Sequence, residues 1–228
     1  MNAIPFDAVL FDCDGVLVDS EPITNGVLRD MLEERGWSMS AEACMALFVG
    51  KAVKDEAALI ERHTGAPVTA EWLRLFWARR DAALEAGLCE VPGAPAAVRS
   101  LHRSLEGRIA CASGADRGKV VLQLRKIGLL DAFEGRIFSG HETPRSKPFP
   151  DVYLAAAAAL GVDPRRCAVV EDTVTGAAAG VAAGATVFGY SPGGADHSGS
   201  RALRATGAVA VFGDMSHLPS LLADWRRA

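Results

Sequence analysis

Ala8-Val9-Leu10-Phe11-Asp12-Cys13-Asp14-Gly15 sets four apolar residues against two aspartates and a glycine. A short apolar run cut off by charge and a turn residue reads as a strand buried on both faces, as in parallel sheets. The same sign recurs at Arg108 to Ala112, Ile137 to Ser139, Ala168 to Val170, Thr186 to Tyr190 and Val209 to Phe212. Helical periodicities fill the intervals. In one of them Val120, Leu124 and Ile127 fall on one face while Gln123, Arg125 and Lys126 fall elsewhere. This alternation predicts a three-layer α/β fold around a parallel sheet.

One interval breaks the rhythm. From about Val18 to Leu88 the pattern is helical throughout and reads as an insertion. Val27, Leu28, Met31 and Leu32 form a stripe beside Arg29, Asp30, Glu33 and Glu34, and Gly36 can end that helix. Trp72, Leu73, Phe76 and Trp77 repeat the spacing, and such an aromatic stripe is ordinarily the core of a helix bundle. Glu90-Val91-Pro92-Gly93 marks the return to the α/β pattern, and Ala155 to Ala159 is a run of high helix propensity.

Composition narrows the class. The chain has 228 residues, 50% hydrophobic and 23% charged, which suits an ordinary globular protein with ample core. Its formal net charge is -4 and its Lys and Arg residues are scattered, so no nucleic-acid partner is expected. Five widely spaced cysteines, Cys13, Cys44, Cys89, Cys111 and Cys167, suit reduced thiols. The first residues enter a strand with no signal-type segment, and no apolar run is long enough to span a bilayer. A cytoplasmic protein with no membrane partner is the expectation, and a monomer is compatible with the sequence, which leaves the oligomeric state open.

Ligands of open parallel sheets collect at the carboxyl ends of the strands, so the residues just past each apolar run matter most. After the first run come Asp12 and Asp14; after the second, Ser113 and Gly114; after the third, Lys147-Pro148; at the fourth, Glu171 and Asp172. A lone aspartate there is commonly a helix cap. Four acids at two strand ends instead repel one another unless a cation relieves them, and oxygen ligands favour Mg²⁺. Ser113 and Gly114 precede a helix starting near Asp116, where a hydroxyl and backbone N–H groups can hold phosphate oxygens. Lys147 can neutralise a phosphoryl group, and an ionised Asp12 can attack phosphorus to give an aspartyl-phosphate.

These residues resemble the ordered motifs of the haloacid-dehalogenase superfamily. Asp12-Cys13-Asp14-Gly15-Val16-Leu17 matches the first motif, Ser113 the second, Lys147-Pro148 the third and Glu171-Asp172 the fourth. The resemblance implies a Rossmann-like core of residues 1–17 and 89–228 and a helical cap of residues 18–88. It also implies a phosphatase in which Asp12 attacks and Asp14 protonates the leaving oxygen and then activates water. Ser113, Gly114 and Lys147 would bind the phosphate. Asp12, the Asp14 carbonyl and Asp172 would bind magnesium, with Glu171 as a further ligand. The second aspartate separates phosphotransferases from dehalogenases, and Asp14 is present.

Within the superfamily the chain is similar to the sugar-phosphate phosphatase and beta-phosphoglucomutase group. Phe138-Ser139-Gly140 and Asp214-Met215-Ser216-His217-Leu218-Pro219 resemble a 6-phosphogluconate phosphatase. The substrate implied is a small phosphorylated metabolite, a sugar phosphate or sugar-acid phosphate. A phosphomutase is the first alternative and a non-enzymatic binding protein of the same fold the second. The mutases carry a cap histidine whose place, counted from the nucleophile, falls at Thr24, so hydrolysis is expected. The cap is expected to move about hinges near Val16 to Asp19 and Leu88 to Gly93, with Lys51 and Lys54 beside Gly50 as candidates to reach the substrate.

Other chemistry-bearing residues take ordinary readings. Cys13 alternates away from its neighbouring aspartates and packs. His63, His102, His141, His197 and His217 are dispersed, with surface or capping roles, although His141 lies near a motif. Gly193-Gly194 and Gly199 mark a loop.

Overall fold

The computed structural model describes residues 4–193 and 197–226, so Gly194 lies outside the described residues. The chain divides into two compact units, residues 1–19 with 90–228, and residues 20–89. In chain order it runs β1 (Ala8–Phe11), β2 (Val18–Asp19), α1 (Glu21–Glu33), α2 (Ala41–Phe48), α3 (Ala57–Thr64), α4 (Ala70–Gly87) and β3 (Cys89–Glu90). It continues with α5 (Ala94–Ser104), β4 (Ile109–Ser113), α6 (Arg117–Lys126), β5 (Ile137–Ser139), α7 (Asp151–Ala159) and β6 (Cys167–Glu171). Last come α8 (Val174–Ala182), β7 (Thr186–Tyr190), α9 (Ser200–Thr206), β8 (Ala210–Phe212) and α10 (Leu218–Asp224).

Six strands of the larger unit form one sheet in the order β5-β4-β1-β6-β7-β8, and every pair is parallel. The predicted α/β fold is the one observed. β1 lies between β4 and β6, with Phe11 opposite Cys111 on one side and Val170 on the other, so Asp12 emerges between two neighbouring strand ends. Alternate residues of these strands pack to opposite sides. Ala8, Leu10, Ala110, Ala112, Cys167 and Val169 join a core with Val152, Tyr153 and Ala156 of α7 and with Ala177 of α8. Val9, Phe11, Ile109, Cys111, Ala168 and Val170 between them are equally buried, so both faces of the sheet are covered.

In the smaller unit Leu28, Met31 and Leu32 of α1 pack with Phe48, Ile60, Trp72 and Phe76, while Leu73 and Trp77 lie at the border of the same core. The aromatic stripe is thus a bundle core. Ser40 and Thr69 cap α2 and α4 by accepting from the N–H groups of Ala43 and Trp72, each at 3.2 Å. Gly36 takes φ +84° just past α1, and Gly65 closes α3 at φ +65°.

One helical reading is corrected. Val120 and Leu124 of α6 are buried as expected, but Gln123 is buried too, and Ile127 lies past the helix end and is only partly covered. The physical reason is that Gln123 faces a polar pocket of the protein rather than water.

Candidate active site

Asp12 follows β1 directly, its N–H donating to the Val170 carbonyl at 3.0 Å, so the sheet ladder fixes its backbone. The chain then turns at Gly15 with φ +74°. Two demands exclude a side chain there. The backbone conformation disfavours one, and a Cβ would lie 2.2 Å from Asp172 Oδ2. Gly15 therefore lets the carboxylate at the end of β6 approach the loop that follows β1.

Asp12, Glu171 and Asp172 are buried and each presents a carboxylate oxygen within 4.8 Å of the others. Lys147 inserts beside them, donating to Asp12 Oδ1 at 2.8 Å and to Glu171 Oε1 at 2.6 Å. Its ammonium lies 4.9 Å from the centre of the Tyr153 ring, and the Tyr153 hydroxyl donates to the same Glu171 oxygen at 2.6 Å. Glu171 Oε2 accepts from the Thr173 hydroxyl at 3.2 Å. A Cβ on Gly176 would stand 1.8 Å from Glu171 Oε1, so α8 packs its glycine against this carboxylate.

The Asp14 carboxylate stands outside this trio. Its Oδ1 accepts from Lys119 Nζ at 2.7 Å and from Gln123 Nε2 at 2.7 Å, both on α6. Cys13, fully buried between the two aspartates, points its thiol to Gln123 Oε1 at 3.3 Å. Hydrogen bonding to Cys111 and burial hold that thiol well above its ordinary pKa, so it is no nucleophile, in keeping with the sequence reading.

Ser113 ends β4 and its hydroxyl accepts from the Ala115 N–H at 3.1 Å, at the loop that leads to the Asp116 cap of α6. Residues 138 to 140 brace this loop. The Ser139 hydroxyl donates to the Ala115 carbonyl at 2.6 Å and the Gly140 N–H donates to the Ser113 carbonyl at 2.8 Å. A Cβ on Gly140 would come within 3.3 Å of the Gly114 Cα.

Among the described residues, four carboxylates, Asp12, Asp14, Glu171 and Asp172, thus face two ammonium groups, Lys119 and Lys147. The imbalance has an electrostatic consequence. Burial, only partly offset by Lys147 and reinforced by Glu171 and Asp14, raises the Asp12 pKa to about 7. Lys147 loses hydration on burial, but Asp12 and Glu171 outweigh that and hold its pKa well above the ordinary value. A divalent cation among the three clustered carboxylates would remove the excess negative charge, and an all-oxygen donor set fits a hard ion.

A family model described as haloacid dehalogenase-like hydrolase matches residues 6–184. The chain belongs to the haloacid dehalogenase-like hydrolases. It is similar to a 6-phosphogluconate phosphatase of Escherichia coli, 31% identical over 191 residues that cover 80% of this chain and 81% of that protein. Hexitol phosphatase B of the same organism is 31% identical over 178 residues, covering 77% of this chain and 79% of its own. A solved hydrolase of this family from Deinococcus radiodurans, with bound phosphate and sodium, is 37% identical with a TM-score of 0.78, covering 97% of this chain and 96% of its own. The chain is a phosphoric monoester hydrolase of this family.

Sequence reasoning missed Lys119, Gln123 and Tyr153. The signal in the sequence is slight: Lys119 and Gln123 stand four residues apart, on one face of the helix that follows Ser113. His197, expected at the surface or in a capping role, is half-buried, with Nε2 3.1 Å from the Gly15 carbonyl. His141 is exposed, and His63 stacks on Trp37 with ring centres 4.1 Å apart.

Proposed function

We propose that this hydrolase is a Mg²⁺-dependent phosphatase of a small phosphorylated metabolite, a sugar phosphate or sugar-acid phosphate, working through a phosphorylated Asp12. The observation that carries the reading is the bridge of Lys147 between Asp12 and Glu171, beside Asp172, in one buried cluster at the ends of β1 and β6. Lys147 holds Asp12 by one oxygen and places positive charge where a transferring phosphoryl group would gather negative charge. Ser113 and the N–H groups around Gly114 receive the phosphate oxygens. Asp12 attacks phosphorus, and the bond to the leaving oxygen breaks as Asp14 gives that oxygen a proton. Asp14 then takes a proton from water as the water oxygen attacks phosphorus and the bond to Asp12 breaks.

Asp12, Asp172 and the Asp14 carbonyl, with Glu171 as the third clustered carboxylate, would hold the magnesium. Bound there, it would supply charge neutralisation to the phosphoryl oxygens. The helical unit acts as the cap domain and sets specificity. Lys51 and Lys54 stay candidates for substrate contact, Lys51 standing 3.4 Å from Glu56 within that unit. All five cysteines are free, which suits a reducing cytoplasm, and among the described residues no helix is long and apolar enough to cross a membrane.

A phosphomutase shares the first half of this chemistry. Thr24 disfavours it, since a hydroxyl cannot relay a proton near neutral pH as an imidazole can. The test is phosphate release from a panel of sugar phosphates, sugar-acid phosphates and phosphoglycolate, with and without a chelator. Release that magnesium restores after chelation is expected, and Asp172→Ala should raise the magnesium concentration required. Isomerisation of beta-glucose 1-phosphate with little free phosphate would overturn the hydrolytic reading.

A further inference from the structure

We propose that Lys119 and Gln123 are positioning residues that fix the Asp14 carboxylate for proton transfer, an inference that rests on the reading of Asp14 as acid and base. Both side chains come from α6, four residues apart and hence on one face of the helix. Each donates to the same oxygen, Asp14 Oδ1, at 2.7 Å, so the two bonds approach from different points and restrict rotation of the carboxylate.

Val120 and Leu124 supply the apolar contacts, and a buried lysine is costly unless it is paired. Lys119 is nevertheless only 6% exposed and Gln123 is fully buried. The amide of Gln123 is itself held in one orientation. Its carbonyl accepts from the Cys13 thiol at 3.3 Å while its NH₂ faces Asp14, and a flip would set its oxygen against the carboxylate. The residue between the two aspartates thus orients the amide that orients the second aspartate.

This arrangement serves a specific need. Asp14 sits on a turn whose next residue has a left-handed backbone, two positions along the chain from Asp12, whose carboxylate belongs to the buried trio. A short acid in that place has competing partners, and proton transfer requires hydrogen-bond reach to the leaving oxygen. The α6 pair separates the acid that moves protons from the acids that gather around Asp12.

The test separates positioning from mere stability by leaving-group dependence. Nitrophenolate departs without a proton, whereas phenolate departs faster with one. Single-turnover phenol release from 4-nitrophenyl phosphate and phenyl phosphate, with enzyme and Mg²⁺ in excess, would be measured for the parent protein, Lys119→Met, Gln123→Met and Asp14→Asn. A general acid is worth ~10² to 10⁴ in rate, so a misplaced one should slow phenyl phosphate by at least ~10-fold in Lys119→Met and change 4-nitrophenyl phosphate by less than ~3-fold. Gln123→Met, nearly matched in shape, should show the same selectivity to a smaller degree, and it decides alone if Lys119→Met does not fold.

Equal slowing of both esters, or no slowing, in variants that fold would overturn the proposal while Asp14→Asn still shows the selectivity. Loss of selectivity in Asp14→Asn itself would instead overturn the underlying reading of Asp14, and the proposal with it.

Discussion

At the scale of single residues, Asp12 shows how burial and function oppose each other. With its pKa raised to about 7, the metal-free protein holds Asp12 partly protonated near neutrality, and burial is the main cause. Because the folded value lies above the unfolded one, the stability tied to this proton is present at low pH and is lost as pH rises through about 7. A cation held by Asp12 would compete with that proton. Magnesium affinity, followed by calorimetric titration from pH 5.5 to 8, on the order of one unit either side of the Asp12 value, should therefore weaken as pH falls. Flat affinity across that window would remove Asp12 from the metal site. Gly15 offers an independent check, since Gly15→Ala forces a Cβ to within 2.2 Å of Asp172 Oδ2 and strains a backbone at φ +74°. A cost of about 1 to 3 kcal/mol is expected from such strain, with weakened magnesium binding, and unfolding in urea would measure the first.

At the scale of elements, strand ends were legible and helix faces less so. Each apolar run marked a strand, and Asp12, Lys147, Glu171 and Asp172 converge because their strands or following loops meet at one edge of a parallel sheet. Gln123 was placed away from the apolar face because periodicity treats every polar side chain as a solvent-facing one. Its partner Asp14 lies 109 positions away, and local spacing carries no information about such a contact. Tyr153 likewise carries no local signal, standing just before a run of helix-forming alanines, although its ring and hydroxyl serve Lys147 and Glu171. The packing of α8 on Glu171 gives a test at this scale. Gly176→Ala would overpack that contact, costing ~1 to 3 kcal/mol and displacing Glu171 from Lys147. A fall in both the unfolding midpoint and kcat is expected, and an unperturbed variant would show that α8 does not hold Glu171.

At the scale of the whole molecule, one compact unit carries the charge cluster and the other carries a helical core with its own aromatic packing. Between Val18 and Leu88 the sequence shows helical patterning, and α1 to α4 fill that interval after the two-residue β2, too short to leave a strand signal. Helix periodicity does not tell which side chains would meet a substrate. Binding linkage applies to the larger unit, where magnesium at about a hundredfold excess over its Kd should add roughly 2.7 kcal/mol of stability. Calorimetric unfolding would show the gain, which Asp172→Ala should diminish. The proposed mechanism turns on Asp12 carrying the phosphoryl group. Rapid acid quench of the enzyme during turnover of 4-nitrophenyl phosphate with Mg²⁺, followed by peptide mass spectrometry, tests it most directly. Phosphorylation at Asp12 should leave a hydroxylamine-labile phosphoryl group on the peptide containing it, absent from Asp12→Asn, which should release no phosphate. Phosphate release by Asp12→Asn at the parent rate, with no labelled peptide in the parent enzyme, would contradict it.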